Sequence, residues 1–261
     1  MKTQGNTILV TGGTSGIGLE MATQFLALGN TVVITGRNPE RLSEALRAHP
    51  GLHGIRSDVA APEAIARLHA DVTGRFPRLN MLVNNAGEMR KLNLQTRGAD
   101  LRDITRELET NLSGPVRMVQ QFLPHLAAQA EAAIVNVSSG LAYVPFPIAP
   151  VYSATKAGLH AYTRCLRVQL KHTRIRVFEL APPATRTPLI GIFTADVGEG
   201  SLMPVDRLAR AAIRGIARDR LEIRPGLSLA LALMGRIAPE FALRLLSRPV
   251  DAMLESGTAA R

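Results

Sequence analysis

Tyr152 and Lys156 stand four residues apart in Tyr152-Ser153-Ala154-Thr155-Lys156-Ala157-Gly158. On a helix that spacing puts both side chains on one face. The lysine ammonium is then expected to stabilise a phenolate and lower the tyrosine from its ordinary pKa of about 10, toward a group that gives and takes protons near neutrality. The same spacing, taken alone, also fits an ordinary pair on a helix surface. Upstream, Asn136-Val137-Ser138-Ser139-Gly140 closes an apolar run, so two hydroxyls are expected at a strand end.

A second constellation opens the chain. Thr11-Gly12-Gly13-Thr14-Ser15-Gly16-Ile17-Gly18 follows a short apolar strand and leads into a helical pattern. Glycines in that position let the backbone approach a pyrophosphate, whose charge is stabilised by free amides and the dipole at the helix N-terminus. The second strand then ends in Gly36, Arg37 and Asn38, with no carboxylate among them. An acid there would hold a ribose 2'-hydroxyl, whereas an arginine accommodates a 2'-phosphate by a charge-assisted fork, so NADP is expected over NAD.

Together with Asn84-Asn85-Ala86-Gly87 and Asn111, these motifs resemble the short-chain dehydrogenase/reductase family in order and spacing over about residues 6 to 190. The resemblance implies that the turn with Gly12, Thr14, Ser15, Gly16, Ile17 and Gly18 binds pyrophosphate. It implies that Arg37 and Asn38 meet the adenosine phosphate, that Asp58 and Val59 contact the adenine, and that Asn85, Ala86 and Gly87 shape the cofactor pocket. Ser139, thirteen positions before Tyr152, matches the catalytic serine, and Ser138 is read as structural. Tyr152 would exchange a proton with the substrate oxygen, Lys156 would bind ribose hydroxyls and tune Tyr152, and Asn111 would support a water linking Lys156 to solvent.

Two departures from the family pattern stand out. Pro182-Pro183 replaces the usual Pro-Gly, with Thr187 in the position of a cofactor-contacting threonine; the second proline removes an amide donor. The chain also continues into an apolar, basic tail where many relatives end soon after a last strand that builds a tetramer. The tail would instead wall the substrate pocket or form a different dimer contact. Ala-Pro-Pro paired with such a tail resembles a subgroup associated with an oxidoreductase encoded beside teichoic-acid D-alanylation genes.

Apolar runs alternating with amphipathic stretches predict the frame: an α/β fold, a single-domain Rossmann-type doubly wound parallel sheet with helices on both faces over residues 1 to 261. Strands are expected at Thr7 to Thr11, Thr31 to Thr35, Met81 to Asn84, Ala133 to Ser138, Arg174 to Leu180 and near Leu221 to Ile223. Helices are expected at Gly16 to Leu28, Asn38 to Arg47, Pro62 to Arg75, Leu101 to Ala128 and Val205 to Arg218. Residues 183 to 204 read as a mobile flap in which Leu189, Ile192, Phe193, Leu202 and Met203 suggest an apolar pocket. The tail from about 225 reads, over Leu227 to Leu246, as a core or substrate-lining helix; Arg236, Pro239, Glu240 and Arg244 interrupt it too often for a span of about 20 apolar residues.

Composition bounds the function. A net charge of +10 favours anionic partners. Scattered cations, no Trp and 4% aromatic residues speak against a nucleic-acid platform. The single Cys165 has no companions at metal-ligand spacing, so no metal is expected; among helix formers it reads as a buried thiol in a reducing cytoplasm. The leading expectation is an NADP(H)-dependent oxidoreductase acting on an apolar carbonyl or alcohol. The alternatives are a catalytically silent NADP-binding regulator and a membrane-surface reductase of lipid-derived carbonyls.

Overall fold

The computed structural model describes residues 1–96 and 100–258; the last three positions of the expected tail, 259 to 261, lie outside the described residues. The chain alternates β1 (Thr7–Val10), α1 (Gly16–Ala27), β2 (Thr31–Gly36), α2 (Pro39–Ala48), β3 (His53–Arg56), α3 (Pro62–Arg75) and β4 (Leu79–Asn84). It continues with α4 (Gly114–Ala127), β5 (Ala132–Val137), α5 (Pro150–Gln169), β6 (Ile175–Leu180), α6 (Val205–Ala217) and β7 (Glu222–Ile223). Three helices close it: α7 (Leu227–Ile237), α8 (Pro239–Leu246) and α9 (Val250–Thr258).

The strands pair in the order β3-β2-β1-β4-β5-β6-β7, parallel throughout. Both faces of such a sheet are covered, so the strand residues alternate between two cores. Ile8 and Val10 face one side with Met21 and Phe25 of α1 and Leu208, Ala212 and Ile216 of α6. Leu9 faces the other with Leu68 and Val72 of α3, Met118 and Phe122 of α4 and Leu166 of α5. The strand order reverses direction between β1 and β4, and the crevice at their carboxyl ends is where doubly wound sheets bind ligands.

Most predicted boundaries shift by one or two residues, but the helix expected over Leu101 to Ala128 is not continuous. Helical turns at Leu101–Ile104 and Arg106–Leu108 lead into a π turn, Glu109–Ser113, before α4 begins. Gly114 lies so close to Val59 that a Cβ would sit 2.9 Å from its carbonyl oxygen, and Pro115 cannot donate a backbone hydrogen bond. The widened turn places Asn111.

The expectation of a buried Cys165 is corrected: it is exposed, on the solvent side of α5. The buried side of that helix is carried by residues such as Tyr152, Lys156, Leu159, Thr163 and Leu166.

Candidate active site

β5 leads directly into the paired hydroxyls of Ser138 and Ser139. Lys156 Nζ donates to the Val137 carbonyl at 2.9 Å, and Ser138 Oγ donates to the fully buried Glu179 at 2.5 Å, so the strand end is held from two sides. Ser138, although on the cavity wall, gives its hydroxyl hydrogen to Glu179, and Ser139, next along, turns its hydroxyl to Tyr152 while accepting from Leu141 N at 3.1 Å. Tyr152 and Lys156 share the buried face of α5, with the ammonium 5.5 Å from the ring centroid.

The electrostatics differ from the lowered tyrosine expected above. Desolvation pushes Tyr152 up to about 12, with the Ser139 hydrogen bond pulling down and the Glu107 carboxylate adding to the rise. Burial likewise pushes Lys156 down to about 8. Removing both groups from water favours their neutral forms more strongly than their proximity favours a phenolate and ammonium.

Asn111 sits behind this pair, off the cavity wall. Its carboxamide accepts from Glu88 N at 2.9 Å and donates to Glu88 O at 2.8 Å and Thr155 Oγ1 at 3.2 Å. It thus ties the segment after β4 to α5 one residue from Lys156. Gly87 is squeezed between: a Cβ there would lie 3.3 Å from Asn111 Oδ1 and 3.7 Å from Lys156 Nζ.

The glycine-rich turn is built for close approach. Gly12 and Gly16 have φ of 64° and 54°, and a Cβ on Gly12 would come within 2.8 Å of Ala86 Cα. Asn85 Nδ2 donates to the carbonyls of Thr11 and Gly12, while Thr11 Oγ1 accepts from the amides of Asn85 and Ala86, stitching the turn to the end of β4. Ser15 precedes α1 without capping it by its side chain, which leaves the first-turn amides to a ligand.

A cavity of about 680 Å³ runs from this turn past Tyr152 to the C-terminal helices. Its wall includes Gly12, Thr14, Ser15, Gly16, Ile17, Arg37, Asn38, Asp58, Val59, Asn85, Ala86, Gly87, Ser139, Tyr152, Lys156 and Thr187. Gly18 is not on that wall. It packs α1 against the turn, where a Cβ would meet Asn85 Nδ2 at 2.3 Å and Gly12 O at 2.4 Å. Asn38 has a second job, capping α2 by accepting from Arg41 N at 2.7 Å. Arg37 is half-exposed and reaches Glu88 at 3.9 Å.

Arg41, in the first turn of α2, also lines the cavity and is not part of the motif reading; its position four residues after Arg37 was the available signal. Past the double proline, Met203 N donates to Ala184 O and Arg186 N donates to Met203 O, which anchors the expected flap at both ends. Leu189 lines the cavity, but Phe193 and Leu202 are buried, Ile192 is exposed and Met203 is off the wall, so only part of the expected apolar set forms it. The rest of the wall includes Phe146, Ile190, Leu231, Met234 and Leu246, the last three from the tail helices.

A parallel doubly wound sheet, a glycine turn that a dinucleotide pyrophosphate fits and a Ser-Tyr-Lys cluster at the same crevice define a nucleotide-dependent oxidoreductase. More specifically, the chain belongs to the short chain dehydrogenase family, whose model matches residues 6–197. It is 44% identical over 189 residues to the uncharacterized oxidoreductase DltE of Bacillus subtilis, covering 72% of this chain and 75% of that one. A short chain dehydrogenase from Burkholderia cenocepacia in complex with NADP superposes with a TM-score of 0.81 at 25% identity, over 94% of this chain and 99% of that one. One from Burkholderia phymatum in complex with NAD also gives 0.81, at 20% identity over 90% and 95%, and shares the fold.

Proposed function

We propose that the protein is an NADP(H)-dependent oxidoreductase that interconverts a carbonyl and an alcohol, with Tyr152 as general acid and base. The observation that supports this best is the convergence of Ser139, Tyr152 and Lys156 on the wall of the cavity that begins at the glycine-rich turn. When bound, the nicotinamide cofactor supplies or accepts the hydride.

Burial keeps Tyr152 protonated, so in the reductive direction its hydroxyl is ready to protonate the substrate oxygen while Ser139 hydrogen-bonds that oxygen. Lys156 spends one donor on the Val137 carbonyl and keeps two for ribose hydroxyls. Arg37 and Arg41 offer guanidinium groups at the adenosine end, where Gly36, Arg37 and Asn38 supply no acid against a 2'-phosphate. Leu189, Ile190, Leu231 and Met234 favour an apolar substrate.

Calorimetric titration with NADPH and NADH, on the wild type and Arg37→Ala, tests the cofactor reading. Tight NADPH binding weakened in the variant supports it, and preference for NADH sinks it. A panel of aliphatic and aromatic aldehydes and ketones then tests catalysis; no turnover of any member with bound NADPH would leave the silent regulator as the better account.

A further inference from the structure

α7 reads Leu-Ser-Leu-Ala-Leu-Ala-Leu-Met-Gly-Arg-Ile, apolar almost all round. Such a helix is ordinarily covered on every side. Here one side is covered: Ser228 is buried, Gly235 meets the Tyr143 carbonyl so closely that a Cβ would lie 2.5 Å from it, and Leu231 and Met234 face the cavity. The opposite side carries Leu229, Leu233 and Ile237 at four-residue spacing, 49%, 52% and 79% exposed.

α8 repeats the pattern. Phe241 and Leu245 are 61% and 36% exposed, one helical turn apart and to one side of the buried Ala242, and the two helices pack against each other across Ala238. Adjoining exposed apolar stripes on a soluble surface mark an interaction site. Arg236, Arg244 and Arg248 are exposed beside them, and among the described residues none has an ion-pair partner. Glu240 is the single acid on α7 and α8.

We propose that this face docks on an anionic lipid surface. Apolar stripes flanked by unpaired arginines match acyl chains beneath acidic headgroups. A second copy would instead bring two net-positive faces together. The helices lie on such a surface rather than cross it, since no described helix is long and apolar enough to span. Leu245 and Arg248 belong both to this face and to the cavity wall, so docking turns the mouth of the cavity toward the lipid. The inference does not depend on the cofactor or the reaction.

Flotation of the full chain with phosphatidylglycerol-containing vesicles, against pure phosphatidylcholine vesicles, tests it. Binding to the anionic vesicles alone is expected, lost in Leu233→Glu and Phe241→Glu, whose outward positions keep the fold, as thermal melts would verify. In Arg236→Ser and Arg244→Ser, binding is expected to weaken about fivefold per arginine at low salt. No flotation, or binding indifferent to lipid charge, overturns the proposal. So does light scattering that shows a dimer split by Leu233→Glu, which would make a second copy the occupant.

Discussion

The Lys156 ammonium stands 5.5 Å from the centre of the Tyr152 ring and gives its hydrogen bond to the Val137 carbonyl. The lysine therefore fixes the strand end that carries Ser139 as well as sitting beside the tyrosine. If Tyr152 is the proton donor, Tyr152→Phe keeps this scaffold and removes only the hydroxyl. Turnover of any carbonyl substrate is expected to fall about 100-fold to 10,000-fold, with NADPH affinity little changed. Near-normal kcat in the variant would remove Tyr152 from the mechanism.

Arg37 is 58% exposed at its side chain, so solvent screens what it offers a phosphate. Arg37→Ala is accordingly expected to weaken NADPH about tenfold, the low end for a charge-assisted contact, and NADH hardly at all. Arg41→Ala should add a further loss in the double variant. Equal losses for the two nucleotides would show that neither guanidinium reads the 2'-phosphate.

The pH dependence of stability follows from Lys156, lowered by burial from 10.5 to about 8. Between those values the unfolded chain binds a proton that the folded one lacks, so stability rises with pH; below about 8 both states are protonated and the burial cost is constant. Tyr152, raised from 10 to about 12, has the opposite sign but acts only above pH 10, where the folded state keeps a proton the unfolded one loses. From pH 8 to 10 the stability of wild type minus Lys156→Met should therefore grow by about 2 kcal/mol. Denaturant melts at the two pH values measure it, and a constant difference would place the ammonium in better contact with water than its burial implies.

The parts of the site that depend on local geometry were legible in the chain. A glycine turn after an apolar strand and a Tyr-Lys pair at one helical turn each state their own backbone requirement. What depends on tertiary context was not. β3, His-Gly-Ile-Arg, is a short edge strand without an apolar run, so no periodicity announced it. The π turn that carries Asn111 ends at Gly114, which packs against Val59, far away in sequence. The raised Tyr152 reflects desolvation by a third core cluster of Met89, Phe146, Ile148 and Phe193, assembled from separate segments, which spacing along α5 cannot reveal.

Gly18 separates the two functions that glycines serve in the nucleotide turn. It lies off the cavity wall, and the atoms a methyl group would meet are the Asn85 carboxamide nitrogen at 2.3 Å and the Gly12 carbonyl oxygen at 2.4 Å. The first belongs to the side chain that holds the turn to β4, and the second is backbone, so neither can yield without moving the turn itself. Gly18→Ala is thus expected to cost about 1 to 3 kcal/mol of stability and, if the turn amides hold the pyrophosphate common to both nucleotides, to weaken NADPH and NADH alike. Gly29→Ala, at a glycine with no atom within 4 Å of its added Cβ but a φ of 82°, provides the contrast: strain without a clash, remote from the turn. Thermal melts and nucleotide titrations of the pair would distinguish them, with loss of nucleotide affinity expected in Gly18→Ala only.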